Sequence, residues 1–133
     1  MRILIVEDDL ASRTFMEKFL SKYGECDIAV DGLEAIELFL QALDEETYYD
    51  LICLDIMMPK LDGMKTLKAI RNIEKDKGIY ESEKVKVIMT TALNDKKTVT
   101  QSYSSGCEAY AWKPIETEKF IEVMEKLGLI AEK

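Results

Sequence analysis

Leu51-Ile52-Cys53-Leu54-Asp55-Ile56-Met57-Met58-Pro59-Lys60-Leu61-Asp62-Gly63 is the stretch that decides the fold. An uncharged apolar run that stops in a carboxylate, followed by a loop bounded by proline and glycine, predicts a buried strand that delivers one acid to a surface. At such a place Asp55 can act as a nucleophile or a metal ligand, or simply as a cap or turn residue. The other strand ends narrow that choice.

Arg2-Ile3-Leu4-Ile5-Val6 is a second apolar run, and it leads into Glu7-Asp8-Asp9. Three adjacent carboxylates repel one another and are tolerated where solvent or a cation offsets the charge. Capping of the next helix by Asp8 or Asp9 accounts for one of the three. Val85 to Met89 runs into Thr90-Thr91-Ala92, and Ala109 to Trp112 runs into Lys113-Pro114. Singly, Thr91 and Lys113 read as ordinary strand-end residues. Together, carboxylates after the first and third strands, a hydroxyl after the fourth and an ammonium after the fifth would converge at one edge of a parallel sheet.

The pattern along the chain fits such a sheet. Strands are predicted at Arg2 to Val6, Cys26 to Val30, Asp50 to Leu54, Val85 to Thr90 and Glu108 to Trp112, alternating with helical segments. That alternation implies an α/β, doubly wound, five-stranded parallel sheet with helices on both faces. Apolar stripes at helical spacing, such as Phe15, Phe19, Leu20 and Tyr23, or Leu33, Ile36, Leu38, Phe39 and Leu43, or Phe120, Ile121, Met124 and Leu127, read as core. Asn72 to Lys86 reads as a helix extension plus a solvated loop, and Asp95 to Ser105 as a helix of weak formers. No repeat, low-complexity tract or interdomain linker interrupts this order.

Composition removes several function classes. A length of 133 residues suits one domain, and a net charge of −8 disfavours a surface for direct nucleic-acid binding. Histidine is absent, so no Ser-His-Asp triad and no histidine phosphocarrier can exist within this chain. Cys26, Cys53 and Cys107 lack metal-site spacing and read as buried thiols in a reducing compartment. With neither a signal-peptide pattern nor an apolar run of membrane-spanning length, the expectation is a cytoplasmic protein without membrane contact.

The strand-end residues, in this order, resemble the receiver domain of two-component response regulators. The resemblance rests on Ile5-Val6-Glu7-Asp8-Asp9, on Leu54-Asp55-Ile56-Met57-Met58-Pro59 with Asp62-Gly63, on Thr91-Ala92, and on Tyr110 followed by Lys113-Pro114. It implies a flavodoxin-like strand order 2-1-3-4-5 and a phosphoacceptor role for Asp55. Mg2+ would be held by Asp8, Asp55 and the Met57 backbone carbonyl, with Glu7 acting largely through coordinated water. Thr91 and Lys113 would contact the transferred phosphoryl group, and Thr91 with Tyr110 would form a switch that changes the face of the fourth helix, fifth strand and fifth helix. The Lys113-Pro114 bond is expected to be cis by the same resemblance.

Partners implied are a sensor histidine kinase or a histidine phosphotransfer protein, together with a downstream protein target. Residues 1–133 are expected to form one receiver of the stand-alone, chemotaxis-regulator-like kind with no output domain, as a monomer or a dimer. Met57 and Leu93, two residues past Asp55 and Thr91, are apolar and would flank the path of hydrolytic water, so self-dephosphorylation is expected to be slow. Three other readings are weaker on the residues. An aspartyl phosphatase would need a second acid two residues after Asp55, where Met57 stands, and a flavin module would meet phosphate repulsion from Glu7-Asp8-Asp9. A purely structural adaptor would not need the whole set.

Overall fold

Arg2–Val6 (β1), Glu25–Ala29 (β2), Leu51–Asp55 (β3), Lys86–Thr91 (β4) and Ala109–Trp112 (β5) are the strands, and apolar or β-branched residues dominate them. The computed structural model describes residues 1–58, 60–92 and 96–131, so Pro59, Leu93 and Asp95 lie outside the described residues. All strand pairs are parallel, in the order β2-β1-β3-β4-β5. The fold class and strand order expected from the sequence are the ones observed.

A parallel sheet must be covered on both faces. Leu10–Leu20 (α1) and Thr117–Lys126 (α5) cover one face, where Met16, Phe19, Leu20, Phe120 and Met124 pack on Ile3, Ile5, Leu51, Cys53 and Ile88. Gly32–Asp44 (α2) and Gly63–Asp76 (α3) cover the other, with Ala35, Phe39, Leu67 and Ile70 against Leu4, Val6, Ile52, Leu54, Val87 and Met89. Each such aliphatic side chain contributes about 1.5–3 kcal/mol when fully buried. Lys96–Ser104 (α4) buries only Ser102, as its run of weak helix formers suggests.

Aspartates set the starts of three helices. Asp9, Asp31 and Asp62 accept hydrogen bonds at 2.9 Å from the backbone amides of Ser12, Glu34 and Lys65 respectively. Asp9, and not Asp8, is therefore the cap of α1, which leaves the Asp8 carboxylate uncommitted to that task. Gly63 has a different reason to be small: a Cβ there would stand 2.3 Å from the Asp55 carbonyl oxygen. The start of α3 thus rests directly on the end of β3.

Some sequence expectations need correction. Phe15 and Leu33 are exposed, because the apolar arc of each helix is wider than the strip that meets the sheet; Phe15 instead stacks on Phe19 at 6.2 Å. Cys26 is half-buried, on the outer strand β2. The segment Asn72 to Lys86 is the expected helix extension, with α3 running to Asp76, followed by a largely exposed stretch, but the helical part carries more than a solvated face. Its Glu74 is 1% exposed, accepts from the Val85 amide at 2.9 Å and pairs with Arg71 at 2.7 Å. Arg71 also donates to the carbonyl oxygens of Val85 and Gly106 and to both oxygens of Glu108. That fork ties α3 to the starts of β4 and β5. The remainder, from Lys77 through a 3-10 turn at Glu81–Glu83, is largely exposed.

Candidate functional site

The carboxyl ends of the strands gather the charged residues. Asp55 ends β3 and is 4% exposed, Glu7 follows β1 and is also buried, and Asp8 stands beside it in solvent. Carboxylate oxygens of Glu7, Asp8 and Asp55 lie within 4.8 Å of one another. Such a cluster of hard oxygen donors, one of them exposed, fits a small divalent cation and offers nothing to a soft one.

Lys113, in the turn after β5, answers part of this charge. Its ammonium donates to Glu7 and lies 3.5 Å from Asp55 Oδ2, and its backbone amide donates to the Thr91 carbonyl at 2.8 Å. The following Lys113-Pro114 bond is cis. Burial opposes charge on Glu7, yet hydrogen bonds to Asp55 and Lys113 outweigh it and hold its carboxyl below the usual range. Asp55 goes the other way: burial, then the hydrogen bond and charge of Glu7, push it up to about 7 against the pull of Lys113. Lys113 is held above its usual value, since its two acids overcome its own desolvation. Lys113 is set against Glu7 and Asp55, and the upward push that burial and Glu7 give Asp55 is the kind that a nearby cation relieves.

Backbone groups complete the frame. The Met57 amide donates to Asp55 Oδ1 at 3.3 Å, so the Met57 peptide sits against the acid. Two residues escaped the sequence reading. Arg13 of α1 donates to the carbonyl oxygens of Glu7 and Asp8, at 3.2 and 3.3 Å, and so grips the β1–α1 turn. Its position one turn after the acids was the available signal. Thr90, not Thr91, pairs in register with Asp55 and lines a cavity of about 300 Å3 with Glu7, Phe15, Met16 and Lys113. Only the pairing register could have separated the two threonines.

Thr91 lies at the end of β4 with no exposed surface. Tyr110 is half-buried on β5, with its ring 5.8 Å from that of exposed Trp112 in an edge-on contact. The two aromatics share a face, as strand alternation predicts. A second cavity, of about 490 Å3, opens between the β3–α3 loop and α4, lined by Asp8, Met57, Met58, Asp62, Met64 and Thr98. Leu93, expected near this edge, lies outside the described residues. No helix among the described residues is long and apolar enough to cross a membrane.

Known proteins are similar to this chain in sequence and in fold. The chain is 31% identical over 125 residues to the probable transcriptional regulator ycf29 of Porphyra purpurea, covering 94% of this chain and 54% of that protein. It thus spans about half the length of that relative, and 7% of a matching hybrid histidine kinase of Dictyostelium discoideum. Among solved structures it is similar to the receiver domain of the response regulator Ssk1 of Saccharomyces cerevisiae, crystallised with the histidine phosphotransfer protein Ypd1. That match has a TM-score of 0.81 at 26% identity and covers 99% of this chain and 93% of that one. Residues 3–125 match the response regulator receiver domain, a phosphoacceptor signalling domain of two-component phosphorelays whose acidic pocket generally binds Mg2+. With its sheet order and a match to the family's model over nearly its whole length, the chain belongs to the response regulator receiver domain family.

Proposed function

We propose that this chain takes a phosphoryl group onto Asp55 from a phosphohistidine of a partner protein and, so modified, changes the face by which it meets a second protein. The observation that carries the reading is the meeting of Glu7, Asp8 and Asp55 within 4.8 Å with Lys113 set against two of them. An Asp55 oxygen bonds to phosphorus as the N–P bond to the partner's imidazole breaks, giving an acyl phosphate. The histidine must be the partner's, because this chain has none. The partner would be a sensor histidine kinase or a histidine phosphotransfer protein; the Ssk1 receiver is crystallised with such a phosphotransfer protein.

Asp8 and Asp55 would hold Mg2+ directly with the Met57 carbonyl, and Glu7 through coordinated water. When bound, the cation offsets the clustered negative charge and stabilises the transferred phosphoryl oxygens. Lys113 moves from its two acids to a phosphoryl oxygen. The Thr91 hydroxyl, wholly enclosed here, turns to donate to another and vacates space near α4. Tyr110 follows into that space, which changes the α4, β5 and α5 face offered to a downstream protein. The chain thereby promotes its own phosphorylation, and slow hydrolysis returns it.

Intact mass after incubation with acetyl phosphate and magnesium should show one phosphoryl adduct, absent from Asp55→Asn and absent when magnesium is chelated. An adduct that persists in Asp55→Asn would refute the assignment. Asp8→Asn should raise the magnesium concentration needed, since a hard cation loses a ligand.

A further inference from the structure

We propose that Met57 is a site of reversible oxidation, and that its sulfoxide shortens the life of the phosphoryl group on Asp55. The inference rests on the phosphoacceptor reading for its consequence but not for its chemistry. The chemistry follows from where sulfur sits in the molecule. Of seven methionines, Met57 alone among the described residues is exposed, at 59%; Met16, Met89 and Met124 are buried, and Met1, Met58 and Met64 are partly covered.

The thiols compete poorly. Cys53 and Cys107 are buried, and burial raises the pKa of both, that of Cys107 to about 11; burial and nearby acids also raise that of half-buried Cys26. A thiol kept protonated is a slow nucleophile toward peroxide. A thioether has no such dependence on ionisation. Solvent access therefore selects Met57 among the sulfur atoms of this protein.

In the reaction the thioether sulfur attacks one oxygen of hydrogen peroxide, the O–O bond breaks as the S–O bond forms, and water leaves after proton transfer. Sulfur loses two electrons and the peroxide gains them. A thiol-dependent sulfoxide reductase reverses the step.

The product stands where it matters. Met57 follows Asp55 by two residues, its amide touches Asp55 Oδ1, and its side chain lines the cavity that Asp8 also borders. The thioether is a weak acceptor and presents an apolar wall to that cavity. A sulfoxide oxygen is a strong acceptor and can hold a water beside the acyl phosphate. The Met57 backbone, the only part of the residue proposed to meet the cation, is chemically unchanged.

The test takes the full chain, with and without a limited dose of hydrogen peroxide, and maps gained oxygen by peptide mass. Phosphoryl decay is then followed after acetyl phosphate and excess donor are removed. Oxygen should appear first on Met57, and decay should quicken about two- to tenfold, the rate equivalent of one net hydrogen bond. The peroxide-treated to untreated ratio of decay rates should return to one in Met57→Leu, and Met57→Gln should decay fast without peroxide. Oxygen arriving first on Met58, Met64 or a cysteine would overturn the proposal. So would unchanged decay in protein oxidised at Met57, or equal acceleration in Met57→Leu. If untreated protein takes up no phosphoryl group, the phosphoacceptor reading fails and the lifetime claim with it, while the mass map still reports separately whether Met57 is the reactive sulfur.

Discussion

Asp55 is the acid least able to carry its charge without help. Burial and the neighbouring Glu7 raise its carboxyl from 3.8 to about 7, so the folded protein binds this proton more tightly than the unfolded chain does. Its contribution to stability is therefore complete below pH about 3.8 and is lost as pH climbs through about 7. In metal-free protein, Asp55→Asn removes that loss. The variant should melt close to wild type near pH 4 and higher by several degrees or more near pH 8, since each unit by which a carboxyl is raised corresponds to about 1.4 kcal/mol and the wild type has lost that contribution there. Magnesium should raise the melting temperature of wild type and leave that of Asp55→Asn almost unmoved. Equal melting of the two metal-free proteins at pH 8 would mean that Lys113 already neutralises Asp55.

At the scale of elements, the junction of β3 and α3 holds the nucleophile in place. A Cβ on Gly63 would meet the Asp55 carbonyl oxygen at 2.3 Å and the Ile56 Cα at 2.7 Å, and neither backbone atom can yield as a side chain would. Gly63→Ala should cost about 1–3 kcal/mol in urea denaturation and slow phosphoryl uptake, because relief of the clash displaces Asp55. Asp62→Ala, which removes only the cap of α3, should cost about 0.5–2 kcal/mol and leave uptake near wild type. The two variants separate loss of stability from loss of geometry. The strands themselves were legible because apolar runs ending in polar residues leave little choice of face, and the candidate site was legible because those ends carry its acids and its lysine. Strand limits moved by a residue where pairing decided them, as when Asp55 joins β3 opposite Thr90. Helical spacing gave direction but not depth, hence the exposed Phe15 and Leu33. The burial of Glu74 was invisible to sequence, since it depends on Arg71 and on an amide from another element.

Across the whole molecule, charge is organised at two opposite ends of the sheet, the acids at the strand ends and the Arg71 fork at the starts of β4 and β5. Trp112 precedes Lys113, so its emission should change with magnesium in wild type and not in Asp8→Asn; equal responses would detach it from the acidic site. Tyr110→Ala should spare phosphoryl uptake and weaken binding of a downstream protein, and intact binding would remove the Tyr110 face from the output. The exposed connection around Gly78 has a practical meaning that follows from the fork. A chain cut there leaves Glu7, Asp8 and Asp55 on one fragment and Thr91 and Lys113 on the other, while Arg71 reaches across the cut to Val85, Gly106 and Glu108. Neither piece owns a complete site, yet each carries half of a charged fastener far from it. Two separately expressed fragments, each fused to one of two candidate interacting proteins, would regain phosphoryl uptake only on being brought together, making the protein a split sensor whose signal is the mark on Asp55.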